Sequence, residues 1–574
     1  MTVADARTFA HELSARSDAE LAELFAARRV SPDAAWSDAF DAAEHLLDPA
    51  PLARAIAGLT AAEARALETA IGGDPVAPGE DRDALLARGL VGVDGSPWQA
   101  AAEAYAAAEV TAPAAATDAD AAADDDAAAA ERAFTASASL ADVLQAALAS
   151  PLGRIGAGAL GAIDRRRLVE SGAVADAAAA DELVAIADRT GLLAVDDRAW
   201  LVTVTGLEWL HRSTIDRWTD VAERLIRTLP AALRAPEGGW LPPADWPGAY
   251  PYDPAWPALA AHITTLLRRW AILDTTGEPP AWARQAAGGG RFDADALAAL
   301  LPPEVDRVYL QNDLTAIAPG SLAPHLDLRL RGMARRESGA QASSYRFTAE
   351  SLADALTAGE TAETLRAFLA EISLTGLPQP LAYEIVRAAT RHGLLRVGPD
   401  WQGRTRVTSD DDALLQTVAV DQALRPLGLV VDGEALVTRS SPDTAFWMIA
   451  DARYPVVAVD ADGERRALER HRLAPEPTPA PTPLEVYAPL IARLRAAQTG
   501  DTDAAWLGRE LEQAVRARAI ITVAVRVSGD GDTEREFTIE ATGLAGGRLR
   551  GRDRNVDVER TLPVSSITRV RPHG

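Results

Sequence analysis

The chain has 574 residues, 48% of them hydrophobic, and a formal net charge of −26. That length and apolar content suit roughly three to five packed domains. It contains no cysteine and no lysine, so disulfides, thiolate–zinc sites and thiol nucleophiles are excluded and all 57 basic residues are arginine. A P-loop cannot be built either, because its lysine must reach the terminal phosphates. The opening residues lack the basic-then-apolar order of a signal peptide, and no apolar run reaches membrane length. A soluble, cytoplasmic protein is expected.

Residues 1–100 read as a helical N-terminal domain, with Leu21, Leu24 and Phe25 on one helix face. Residues 1–150 hold 26 acids against 9 arginines, a balance that repels phosphate backbones. Residues 101–134, rich in Ala and Asp, have little to bury and read as an acidic linker. Residues 135–290 begin with three helical patterns and continue into `LLAVDDRAWLVTV`, two strands around a turn at Asp196-Asp197. Helices followed by a β-hairpin suggest a winged-helix-like unit. A Pro/Trp-rich loop follows, and Gly288–Gly290 marks its boundary.

Residues 300–472 form the next α/β unit. Its opening strand candidate is `RVYLQNDLTAIAP`, and three helices follow. Thr348 and Thr361 are suited to N-caps, Pro380 to an early helical position and Gly393 to a C-terminal cap. Prolines at 475, 477, 479, 481 and 483 mark residues 473–486 as a stiff linker. The tail, 487–574, has two helices and then five short strand patterns, as in a small, bent sheet or barrel.

The stretch Tyr345-Arg346-Phe347-Thr348, Ser351-Leu352, Ala355, Gly359, Leu365, Phe368-Leu369, Ser373, Thr375-Gly376 and Pro378 resembles the N-terminal, non-motor domain of XPB-type DNA-repair helicases. The whole chain resembles helicase-associated proteins of actinobacterial type, in which this domain follows helical modules and the motor lobes are missing. The tail strands, with `GDTEREFTI`, `GRLRGRDR` and `LPVSSITRV`, resemble a WYL domain, a small Sm-like barrel. Its naming Trp-Tyr-Leu triplet is replaced by Arg548-Leu549-Arg550. These resemblances imply a multidomain α+β protein. It would have a mostly helical N-terminal half with the winged-helix-like unit, an α/β XPB N-terminal-like domain and a small C-terminal β-barrel.

Nucleic-acid contacts are expected from arginine clusters, since guanidinium groups pair with phosphates and guanine edges. The candidates are Arg165, Arg166 and Arg167 on a helix, Arg335 and Arg336 beside a Gly/Ser loop, and Arg548, Arg550, Arg552 and Arg554, whose alternation places them on one strand face. Each cluster has acidic neighbours that could neutralise it. Trp240, Trp246 and Trp256 are candidates for base stacking. Gly156–Gly161 satisfies GxGxxG, but a helical pattern precedes it, so a glycine-rich turn is expected and no cofactor. Asp124–Asp126 and Asp410–Asp412 read as solvated or capping acids, the eight histidines are scattered, and no metal or catalytic residue is assigned.

The expected function is a non-catalytic adaptor in DNA repair or other DNA transactions. It would dock a helicase or nuclease partner and contact DNA weakly, with no small-molecule ligand and no membrane. Two alternatives remain at this stage. One is a winged-helix/WYL transcriptional regulator; the other is a degenerate helicase with residual nucleotide binding.

Overall fold

A computed structural model describes residues 3–111, 125–156, 158–339, 343–466, 468, 472–476, 479–498, 502–526 and 534–572. Seven helices run from Val3–Ala15 to Gln99–Ala106, and Ser17 with Glu20 and Thr60 with Glu63 close capping boxes at two of their starts. The expected face of Leu21, Leu24 and Phe25 is buried. This core is completed from the far end of the chain. Tyr487, Leu490, Ile491 and Leu494 of helix Pro483–Ala496 enter it, as does Trp506 of helix Thr502–Ala517. Arg509 binds Asp38, Asp41 and Glu44. The proline run therefore ends in a helix start, at the Thr482–Glu485 capping box, and both expected tail helices pack on the N-terminal helices.

Residues 112–124 of the expected acidic linker lie outside the described residues. Residues 126–134 differ from the expectation: they form the first turns of helix Asp126–Ala149 and bury Ala129, Ala130 and Ala133. Methyl side chains let neighbouring backbones approach closely, so an alanine-rich stretch can pack without large apolar residues. Strand Leu152–Ile155 follows, then helices Ala162–Glu170 and Ala177–Thr190, then hairpin Leu193–Asp196 and Ala199–Val202. The turn falls where expected, with Asp197 at φ 53°. The last strand pairs antiparallel with both Leu193–Asp196 and Leu152–Ile155. Helices Thr214–Arg227 and Trp256–Arg269 share the same core, with Trp209, Trp218, Trp270 and Trp282 fully buried.

Between residues 303 and 468 the chain builds two adjoining cores. In the first, the expected opening strand divides into Tyr309–Leu310 and Thr315–Ala318, turning at Leu314, and Thr315–Ala318 pairs with Ser343–Arg346. Helices Ala349–Thr357, Ala362–Ile372 and Gln379–Arg391 cover this sheet, with caps at Thr348 and Thr361 as expected. In the second core, Leu395–Pro399 and Thr405–Ser409 are the central strands of a six-stranded sheet. Gly393 joins the two cores. Its φ is +84°, and an added Cβ would lie 2.6 Å from Val457 Cγ1, so only glycine turns the chain this tightly.

All five expected tail strands form, in spatial order 558–563, 548–553, 534–545, 520–526 and 567–572. The edge strands are not paired with each other among the described residues, so the sheet is a five-stranded antiparallel sheet without the closure expected of a barrel. It is nevertheless curled. Only Val564–Ser566 separates the two edges, a connection of at most about 15 Å, whereas a flat five-stranded sheet spans about 19 Å. Bulges at Ala524/Val525 and Ala541/Gly543 supply the bend. Among the described residues, no helix is long and apolar enough to cross a membrane.

Candidate nucleic-acid interface

The predicted arginine clusters fare differently. Arg165 is held by Asp181 at 2.8 Å and Arg167 by Asp164 at 3.0 Å, while Arg166 is exposed. Arg335 is exposed and pairs with Glu350 at 3.0 Å. Arg336 turns inward to Asp142, 3.1 Å away on the long helix Asp126–Ala149. Arg331 shares that carboxylate at 2.6 Å. Burial disfavours the charge on Arg331, but Asp142 and Asp327 outweigh it and raise its pKa. Tyr345 donates to Asp327, and burial followed by that carboxylate raises its phenol. This network stitches the 303–391 unit to the helical unit; it is not an open basic surface.

In the tail, strand Arg548–Asp553 alternates exposed and buried residues, so Arg548, Arg550 and Arg552 share one face as expected. Arg554 lies beyond the strand and binds Glu540 at 2.7 Å; Arg552 binds Asp557. Arg548 and Arg550 remain exposed without an ion pair among the described residues, leaving two open cations rather than four.

Three further candidates are structural. Trp240, Trp246 and Trp256 are at most 5% exposed, and the indoles of Trp246 and Trp256 donate to the carbonyls of Leu241 and Trp246. Stacking on bases is therefore closed to them. At Gly156–Gly161 the structure corrects the expected context. A short strand precedes the glycines, but it returns through hairpin Leu152–Ile155/Ala159–Leu160, and Asp164 accepts from Gly153 N at the start of the next helix. The amides of Gly158 and Gly161 donate to the carbonyls of Ile155 and Gly153, so they are not free to hold a pyrophosphate. Asp125 and Asp411 are N-caps, Asp124 lies outside the described residues, and no metal-ligand cluster occurs among the described residues.

The open surface that the sequence reading did not single out is on helix Gln379–Arg391. Leu381 and Ile385 are buried, which turns Gln379, Tyr383, Val386, Arg387, Thr390 and Arg391 outward along one stripe. Tyr383 is 65% and Val386 46% exposed. Arg387 makes only an exposed intrahelical pair with Glu384, and Arg391 has no ion pair among the described residues. The signal was present in `QPLAYEIVRAATR` as a second i, i+4, i+8 stripe opposite the apolar one. The following hairpin presents Trp401, 85% exposed, where Asp400 accepts from Gln402 N and Arg404 N. An exposed aromatic and cationic helix face, with a large aromatic at a hairpin tip, is suited to phosphate pairing and base or groove contact.

Compared with known families, residues 308–431 match the helicase conserved C-terminal domain. No curated protein matches the chain. The matched span takes in the stripe on Gln379–Arg391 and the hairpin with Trp401, and it ends within strand Val430–Asp432. The chain is thus helicase-related through this domain.

Proposed function

We propose that the chain is a non-motor accessory component of a helicase system, working in DNA repair or a related DNA transaction beside a motor or nuclease carried on another polypeptide. The observation that carries this reading is a helicase-family region in a sequence without lysine, which has no means of forming a P-loop. The finer likeness of 345–378 to the XPB-type N-terminal domain supports the repair setting. DNA is contacted through Tyr383, Arg387 and Arg391, assisted by Trp401 and by Arg548 and Arg550 of the tail sheet. Contact through so few cations is weak and salt-sensitive.

The helix–strand–helix–helix–hairpin order of residues 126–202 supports a winged-helix reading, and with it the regulator alternative. Its third helix, however, exposes Asp181 and Asp188 rather than basic residues and is packed against four helices. The WYL likeness of the tail supports a curled sheet, not a ligand sensor.

The test is a DNA-stimulated ATPase assay combined with duplex binding at two salt concentrations. The expected result is no turnover and an affinity that falls as salt rises. ATP hydrolysis or duplex unwinding by the purified chain alone would overturn the proposal.

A further inference from the structure

Helices Asp412–Val420 and Pro442–Asp451 cover one face of the six-stranded sheet, packing on Leu395, Val397, Val407, Leu436 and Val456. Alternation sends the residues between these to the opposite face. There the strand register sets Val430, Val437, Arg406 and Gly398 side by side. Val459 comes next, close enough that a Cβ added to Gly398 would lie 2.7 Å from its Cγ2, and Arg465 ends the row. The row crosses all six strands, a span of about 24 Å. Its floor is short, made of valines and a glycine, while Arg406, Arg465 and Val430 are exposed. Arg396 stands in the adjoining row, opposite Thr408.

Asp432, the acid that the register places on this face, holds Arg404 together with Asp400. Asp410 pairs with Arg396, but its side chain is 82% exposed, and so open a pair is weak enough for a phosphate to replace. Glu434, Asp462 and Glu464 lie in or beside the turns at the sheet's ends. Arg406 and Arg465 make no ion pair among the described residues. Arg465 also reaches the end of helix Gln379–Arg391, since a Cβ on Gly393 would lie 3.4 Å from its Nη2. The open cations of the helix stripe therefore continue onto the sheet. At the rim, just beyond Gly398 and Arg406, Trp401 projects from the hairpin tip. An indole gains most by stacking on a base face, which a paired duplex hides and an unpaired strand offers. Resting on the DNA-contacting role proposed above, we infer that this open sheet face is a site for single-stranded DNA. Phosphates of the unpaired strand meet Arg465, Arg406 and Arg396, a base stacks on Trp401, and the duplex that the strand leaves lies on helix Gln379–Arg391.

The test measures binding of the full chain, at low salt, to a blunt duplex and to the same duplex carrying a DNA tail of about ten nucleotides, a length typical of single-strand sites. The tail is expected to tighten binding about ten-fold. Arg406→Ala with Arg465→Ala should cut that gain to less than about two-fold, and Trp401→Ala should cut it to about three-fold. All three side chains are exposed, so the melting temperature stays unchanged. Equal affinity for the blunt and tailed duplexes would overturn the inference and leave the proposed function standing. Failure to bind either would also remove DNA contact from the proposed function. A gain that survives undiminished in both variants, or an RNA tail bound more tightly than the DNA tail, would overturn the inference as well.

Discussion

Residues 126–202 and 349–409 each have three helices and then a β-hairpin, the first with an extra hairpin after its first helix, yet they use their third helices in opposite ways. In the first region, helix Ala177–Thr190 buries Leu183, Val184, Ile186 and Ala187 and is enclosed by other helices. Two of its three acids, Asp181 and Glu182, are taken up by Arg165 and Arg269. In the second, helix Gln379–Arg391 buries only Leu381 and Ile385 and leaves an aromatic and cationic stripe open. Helix order alone therefore does not locate a nucleic-acid surface. Which face the surrounding chain covers, and the charge of what is left, decides it.

The junction between the two regions should respond most strongly. Asp142→Ala leaves Arg331 and Arg336 without their shared carboxylate, and a loss of about 3–5 kcal/mol is expected, read as a lower denaturant midpoint. Next, Leu183→Ala should cost about 2–5 kcal/mol, whereas Tyr383→Ala should change stability by no more than about 0.5 kcal/mol. Similar costs at both positions would erase the distinction between a covered and an open helix.

Reversing charge on the open stripe, with Arg387→Glu and Arg391→Glu together, should weaken duplex binding roughly ten-fold at low salt and flatten its salt dependence. Arg165→Glu with Arg166→Glu should change it less than about two-fold by the same argument, because Arg165 is already neutralised.

A smaller effect separates the regions by pH. Residues 126–202 contain no histidine, whereas His392 ends the third helix of the second region. Burial, then the charge of Arg465, lowers its pKa to about 4. The folded state therefore binds fewer protons than the unfolded state between pH 6.5 and 4. Stability present above pH 6.5 is lost as pH falls toward 4, by about 1–3 kcal/mol. His392→Gln should flatten that part of the stability profile, measured by denaturation at successive pH values.

Much of the fold was legible in the sequence because local rules agreed with the tertiary outcome. Thr348, Thr361, Pro380 and Gly393 occupy the cap and turn positions their chemistry favours, and the tail strands fall on the alternating patterns. The matching residues of the helicase-like stretch are largely packing and capping groups: Tyr345, Phe347, Leu352, Leu365 and Phe368 are buried. They encode the scaffold and say little about the exposed stripe between them. Long-range pairing was not legible. Nothing in `DDAAAAER` shows that its alanines will be covered. Nothing in `PTPLEVY` shows that Tyr487 will donate to Val30. Arg336 reads as a surface cation because arginine usually is one, and only the fold reveals that it turns inward to Asp142.

The most direct test of the central claim is hydrogen–deuterium exchange of the full chain with and without duplex DNA at low salt. The account predicts new protection over residues 379–391 and at the hairpin around Trp401, with residues 162–190 unchanged. Protection of 162–190 with 379–391 unaffected would contradict it.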